Sequence, residues 1–214
     1  MTTLGAFGYA ALMRVLLLGF CLCLSVGCSR ARPVTNLTLT WRGESLPRPN
    51  AEVGRALNAG PLALAVRDAR PAPSEVGFDE RNSRAIFANG DVAAWCSGVA
   101  RSVFEGGGAR LDPAAQTQVT LELESFRVVE GGMFNGEARV RVSVVRGGVV
   151  TLNELYEGKS KRWGRTHSPD NMNEALTSAL SGALKRLMTD RQFAVALAGQ
   201  TPVDAPPPLP SRGL

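Results

Sequence analysis

The chain has 214 residues, a formal net charge of +5, 20% charged residues and 6% aromatic residues. This composition excludes a membrane-spanning bundle and a disordered polyelectrolyte, and the length is enough for one domain with a proper core. The basic excess is small: it favours anionic surfaces, and it lacks the basic, aromatic-interleaved stripe that nucleic acid recognition requires.

The first informative stretch is Met13 to Cys28, MRVLLLGFCLCLSVGC. Residues 1–12 carry no charge, so Met13, followed by Arg14, makes a better start than Met1. After Arg14 the chain runs uncharged from Val15 to Gly27. That is shorter than the roughly 20 residues a helix needs to cross a bilayer. A basic start, a short apolar middle and a small residue before the cut describe a secretory signal that is removed. With Val26, Gly27 and Cys28 the stretch resembles the lipobox of bacterial lipoproteins. It departs from the pattern at Leu24, which stands four residues before Cys28, while Ser25 occupies the usual leucine place. The resemblance implies cleavage between Gly27 and Cys28, a diacylglyceryl Cys28 carrying palmitate-type chains, and attachment to a membrane. An ordinary signal peptide and an uncleaved N-terminal anchor are the other readings.

Cleavage there leaves 187 of the 214 residues, in which Cys96 is the one cysteine besides Cys28. No internal disulfide is then expected, and one cysteine with one histidine, His167, excludes the usual zinc clusters. No cofactor is expected.

A tether over 28–35 leads into a first strand near Asn36–Trp41. Residues 43–60, with Pro47, Pro49 and Gly54, read as loop. A second strand spans Pro61–Arg67 and stops at Pro71 and Pro73. Residues 74–90 carry no clear pattern beyond a short strand at Arg84–Ala88. Asp91 caps a helix whose stripe is Val92, Trp95, Cys96, Val99 and Val103, and Gly106-Gly107-Gly108 ends it. Cys96 lies on that stripe and reads as a buried structural thiol. Strands follow at Gln118–Phe126, Ala138–Val144 and Val149–Ser160, the last two joined by Gly147-Gly148. Each of the first two has one apolar face, and on the other the acids of one strand match arginines of the next. The loop Glu130–Gly136 is expected to expose Met133 and Phe134. Ser168-Pro169 opens a long amphipathic helix, and Arg191–Ala198 extends the helical pattern. Residues 200–214, with five prolines, read as a disordered or extended tail.

These elements predict an α+β domain over 36–199: a mostly antiparallel sheet of about five strands with two helices on one face. The layout resembles the YajG-type lipoproteins of bacterial envelopes, and more loosely the auxiliary lipoproteins of envelope lipid-transport ABC systems. The residues that carry this are Leu64–Arg70 with Val76-Gly77, the helix Asp91–Phe104, the run Leu155–Ser160, and Asn173-Glu174-Ala175-Leu176. The resemblance implies a fold and a location and transfers no catalytic residue.

No catalytic constellation emerges. His167 and Asp170 adjoin a helix start, where polar residues are expected anyway. Glu122 and Glu124 face arginines. The most suggestive patch is basic and partly aromatic: Lys159, Lys161, Arg162, Trp163 and Arg165. It suits lipid head groups or an acidic partner, and equally a solvated strand end. The expectation is therefore a non-enzymatic, lipid-anchored accessory component of an envelope assembly or transport system. Its partners would be the membrane, through Cys28, and an unidentified envelope protein. Ser29 replaces the aspartate that holds enterobacterial lipoproteins at the inner membrane, which by resemblance favours the periplasmic face of the outer membrane. The alternative is a soluble periplasmic module binding a lipid or glycan between sheet and helices.

Overall fold

A computed structural model describes residues 35–42, 45–164 and 168–199. Eight strands form a single mixed sheet: β1 (Asn36–Leu37), β2 (Pro61–Asp68), β3 (Glu75–Asp79), β4 (Arg84–Ala88), β5 (Arg110–Leu111), β6 (Thr117–Glu130), β7 (Phe134–Arg146) and β8 (Val149–Arg162). Four helices accompany it among the described residues: α1 (Ala51–Asn58), α2 (Val92–Gly106), α3 (Pro169–Thr189) and α4 (Arg191–Ala198). The expected α+β class holds, while five strands and two helices understate it.

β6 organises the sheet. Along its whole length one edge pairs antiparallel with β7, which pairs antiparallel with β8. The other edge is shared: Thr117–Leu123 pair parallel with β2, and Val128–Glu130 pair parallel with β3. β5 extends the first branch, and β4 then β1 extend the second. The sheet is thus mixed rather than mostly antiparallel. The longest parallel pairing is that of β2 with β6, two strands whose patterns are legible but whose relative direction is not. The other parallel pairings involve two-residue and five-residue strands, which hold too few alternations to be read from sequence.

The sequence pattern accounts for the main body. In β6 the buried apolar positions are Val119, Leu121 and Leu123, then Phe126 and Val128, a step of three interrupting steps of two. The register shifts at that interruption, between Leu123 and Ser125, which leaves Glu124 as the extra residue of a β-bulge. Gly147 and Gly148 both take positive φ, 55° and 84°, the two-residue hairpin turn expected of them.

α1 corrects the loop expected at 43–60. Asn50 is its N-cap, accepting the Val53 amide at 2.8 Å, and Val53 and Leu57 are buried one turn apart. Pro47 and Pro49 stand ahead of that cap, where proline does not oppose a helix. In α2, Asp91 caps as expected, accepting the Ala94 amide at 3.0 Å.

α3 lies across β8, β7 and β6, and α2 lies on β2. Met172, Leu176, Leu180, Leu184 and Leu187 of α3 are buried, and such side chains contribute about 1.5–3 kcal/mol each on burial. The backbone of α3 comes down onto the sheet at two glycines. A Cβ on Gly136 would strike the Ala175 carbonyl, and one on Gly158 would strike the Ala179 carbonyl. Ser160 takes part in the same contact, donating from Oγ to the Ala175 carbonyl at 2.6 Å. At the far side of the sheet, Asn173 of α3 holds the chain just after β1. Its Oδ1 accepts the Thr40 amide at 3.1 Å and its Nδ2 donates to the Thr38 carbonyl at 3.0 Å.

Candidate functional site

Helices cover one face of the sheet. Between them and the strands, beside Cys96, Leu121, Val140 and Leu184, the enclosed apolar space amounts to about 10 Å³. That holds about one water, whereas small-molecule pockets run to about 300–1,000 Å³. Among the described residues, the space beside these side chains is smaller than a lipid or glycan needs. Cys96 lines this space, and burial pushes its thiol up to about 12, so it is an unreactive core residue.

The opposite face is the candidate surface. Its middle is an ion-pair ladder across β6, β7 and β8. Glu124 accepts from Arg141 at 2.6 Å and lies 3.8 Å from Arg139, whose Nε is 3.1 Å from Glu157. Arg127 donates to Glu137 at 2.9 Å. Glu124 with Arg139 and Arg141 is the match that the strand pattern anticipates; Glu122 stands in register with Arg141, whose Nε goes to Glu124. Exposed pairs of this kind contribute about 0.2–1 kcal/mol each and set register more than they add stability.

Toward the β6–β7 turn, Lys159 and Lys161 stand on this open face, opposite Glu137 and Asn135 in the β7 register. With Arg127, Val129, Asn135 and Glu137 they line an open depression of about 310 Å³. The basic stretch of the sequence is divided by strand alternation. Arg162 turns to the helix side and pairs with Glu174 of α3 at 2.9 Å. Trp163, just beyond the strand, is 73% exposed.

Phe134, expected at an exposed loop tip, is buried in the core instead. β6 and β7 continue through the glycine-rich stretch and leave a turn of only Gly131-Gly132-Met133, so strand alternation places Phe134 on the helix side. Met133 is half-buried in that turn. Gly27, Cys28, Arg165 and His167 lie outside the described residues. Asp170, next to His167 in the sequence reading, pairs with Arg42 at 2.9 Å.

Sequence reasoning missed two exposed aromatics on the same face. Phe78 is 39% and Phe87 41% exposed. Phe78 is in register with Val129, and Val129 with Asn135, so one row runs Phe78, Val129, Asn135, Lys161 across β3, β6, β7 and β8. In β4 the available signal was buried Ile86 beside exposed Phe87, over a strand too short for it to stand out. In β3 the register shift between Glu75 and Gly77 puts buried Val76 two residues before exposed Phe78, so period two could not mark it.

Two further clusters fix structure. After β2 the Arg70 guanidinium is buried; it donates to both carboxylate oxygens of Asp68, at 2.8 and 2.6 Å, and to the carbonyls of Pro73, Glu75 and Phe126. Burial raises the Asp68 carboxyl, but the hydrogen bonds and charge of Arg70 outweigh it and hold the group below the usual carboxylate value. Tyr156 of β8 donates its hydroxyl to Asp190, which joins α3 to α4 and accepts the Gln192 amide at 2.8 Å. Burial, with the Asp190 hydrogen bond adding to it, raises the Tyr156 phenol far above its ordinary value. Among the described residues no group of three or more His, Cys, Asp or Glu side chains could hold a metal ion, and no helix is long and apolar enough to cross a membrane.

Residues 48–198 match the model of a family described as uncharacterized lipoprotein. No curated protein matches the chain. Among solved structures, a protein from Xanthomonas campestris is 13% identical, with 77% of this chain and 96% of that one covered and a TM-score of 0.48. A PelC dodecamer from Paraburkholderia phytofirmans is 17% identical, with 69% and 96% covered and a TM-score of 0.35. At these scores neither likeness bears on what the chain does.

Proposed function

We propose, from the premise that this chain belongs to the uncharacterized lipoprotein family whose model it matches over residues 48–198, that it works as a lipid-anchored, non-enzymatic envelope protein. The observation that carries the reading is the conjunction of that match with Cys28, placed after a short apolar stretch and Val26-Gly27. Acyl chains on one sulfur hold the domain at a bilayer, and the domain faces the periplasm. The class that fits best is an accessory component of an envelope assembly or transport system, seated at the outer membrane in preference to the inner. Among the described residues the apolar space beside Cys96, Leu121, Val140 and Leu184 is about 10 Å³, which favours this reading over a soluble lipid or glycan carrier. The family's description supports the lipoprotein class; the transport association rests on the looser resemblance alone.

The test is the mass of the natural product together with its partitioning. The wild-type chain is expected to begin at Cys28, to carry acyl chains there and to enter the detergent phase. Cys28→Ala is expected to remain in the aqueous phase or to keep its signal uncleaved. A wild-type product without acyl chains on Cys28 refutes the anchor.

A further inference from the structure

We propose that the open face of the sheet, at the end bearing Phe78, Phe87, Val129, Arg127, Lys159 and Lys161, lies against an anionic bilayer surface. This deepens the lipid-anchor reading and rests on it for the membrane's proximity.

Three observations converge. The first is where the aromatics are. Of five large hydrophobic residues exposed among the described residues, Phe78, Phe87 and Trp163 lie toward this end, and the other two, Val149 and Val150, lie at the opposite end of the β7–β8 hairpin. Aromatic rings on the outside of a sheet cost solvation in water and gain it in the interfacial region of a bilayer, where amphipathic and aromatic groups collect.

The second is charge. On the same rows Lys159 and Lys161 form no ion pair among the described residues, while the ladder neighbours Arg127 and Glu137 satisfy each other. Arg81 and Arg84, in and beside the β3–β4 turn, add exposed cations at the same end. Glu75, Glu80 and Glu137 are the acids of this end that reach the surface, Asp79 and Glu130 being buried, so the surface cations exceed the surface acids by two. Each Lys or Arg close to an anionic leaflet is worth about a fivefold gain in partitioning, which corresponds to roughly 1 kcal/mol.

The third is the route of the tether. The chain enters the described domain at Thr35, whose carbonyl accepts the Phe87 amide at 2.9 Å, and Asn36 is the register partner of Phe87. From Cys28 to Thr35 there are seven residue steps, about 25 Å at full extension. An acylated Cys28 thus cannot carry its bilayer far from Phe87. A domain leashed this closely meets the head groups with the surface around its point of attachment, which is the aromatic and basic end.

The experiment reads two independent signals. The acylated full-length chain, its acylation verified by mass, is reconstituted in phosphatidylethanolamine–phosphatidylglycerol vesicles. An environment-sensitive fluorophore is attached through Phe78→Cys or, at the far end, through Val150→Cys. The label at 78 is expected to be blue-shifted and quenched by doxyl lipids, and the label at 150 to be quenched by aqueous iodide. Equal aqueous quenching at both positions overturns the proposal while leaving the anchor intact, because acylation is established beforehand. The same shielding of position 78 without vesicles, with a doubled mass in light scattering, also overturns it and makes this face a contact between copies. In the second arm, the mature chain carrying Cys28→Ala is mixed with the same vesicles. Lys159→Gln with Lys161→Gln is expected to lower its partitioning roughly 30-fold. An unchanged partition overturns the charge argument.

Discussion

Gly158 of β8 and Ala179 of α3 are in backbone contact: a Cβ added to Gly158 would overlap the Ala179 carbonyl oxygen and crowd the Ala183 amide. The helix rides on the sheet backbone itself at this point. Gly158→Ala must therefore push α3 away from β8 and loosen the leucines on either side. Overpacking of this sort costs about 1–3 kcal/mol, and because the clash is with backbone the upper end is expected, near 3 kcal/mol. Gly98 gives the opposite case: it sits inside α2 with open space where a Cβ would go. Gly98→Ala is expected to stabilise by about 0.5–1 kcal/mol. Urea unfolding of both variants checks the contrast; equal and opposite effects would mean that α3 is not seated on Gly158.

The Asn173 amide acts toward Thr38 and Thr40 as a strand backbone would, accepting one N–H and donating to one carbonyl. It secures the residues that follow β1, a strand only two residues long. Asn173→Ala leaves the Thr40 amide and the Thr38 carbonyl without this partner and is expected to cost about 1–3 kcal/mol. Hydrogen exchange separates this from a general loss of packing. Exchange at Thr40 should accelerate by more than exchange in β6 or β7, because the lesion frees the segment after β1 before the sheet opens.

Much of the domain was legible in the sequence where a pattern ran long enough to be counted. β6 and β7 show period-two alternation over many residues, and the double glycine marks the turn from β7 into β8. α2 carries a cap and a stripe, and α3 carries a stripe, with Ser168 at its N-cap position but making no side-chain cap bond. What escaped detection was short or depended on distant partners. β3 and β5 have too few residues to show a period, and α1 was obscured by prolines that in fact precede it. The run Leu155–Ser160, which carries the resemblance and the end of an expected strand, has a further physical content that no local rule supplies. Tyr156 reaches Asp190, Gly158 admits α3, and Ser160 bonds the Ala175 carbonyl. Likewise the basic stretch read as one patch because sequence does not show which residues face outward. Strand alternation assigns Lys159 and Lys161 to one face and Arg162, with its Glu174 partner, to the other.

Asp68 and Arg70 shape the turn after β2, and their pairing has a pH signature. The folded carboxyl titrates below its usual value, so its contribution is fully present above the unfolded value, about 3.9, and is lost as pH falls through the folded one. Asp68→Asn removes that dependence and leaves a buried guanidinium with only carbonyl partners. At neutral pH the variant is expected to lose about 3 kcal/mol, the low end for breaking a buried pair, since those carbonyls remain. Stability measured from pH 7 to pH 3 should fall more steeply in the wild type than in the variant below about pH 4. Parallel curves would show that the pair does not titrate with folding.

Tyr156 offers a spectroscopic check on the joint between α3 and α4. Its hydroxyl donates to Asp190, and burial with that neighbouring carboxylate favours the neutral phenol. A phenol whose folded value is raised gives stability that is complete below the unfolded value, about 10, and declines as pH rises beyond it. Tyr9 and Tyr156 are the two tyrosines of the chain, and cleavage before Cys28 leaves Tyr156 alone. In the mature protein the 295 nm absorbance of tyrosinate is therefore expected to stay flat through pH 10–11 and to rise only as the circular dichroism collapses. Tyr156→Phe keeps the ring in the core but removes the donor, and is expected to cost about 1.5–3 kcal/mol, the range for a hydrogen bond to a charged group. A phenol that ionises near pH 10 in the still-folded protein would mean that Tyr156 is solvated and that Asp190 is held by its Gln192 amide alone.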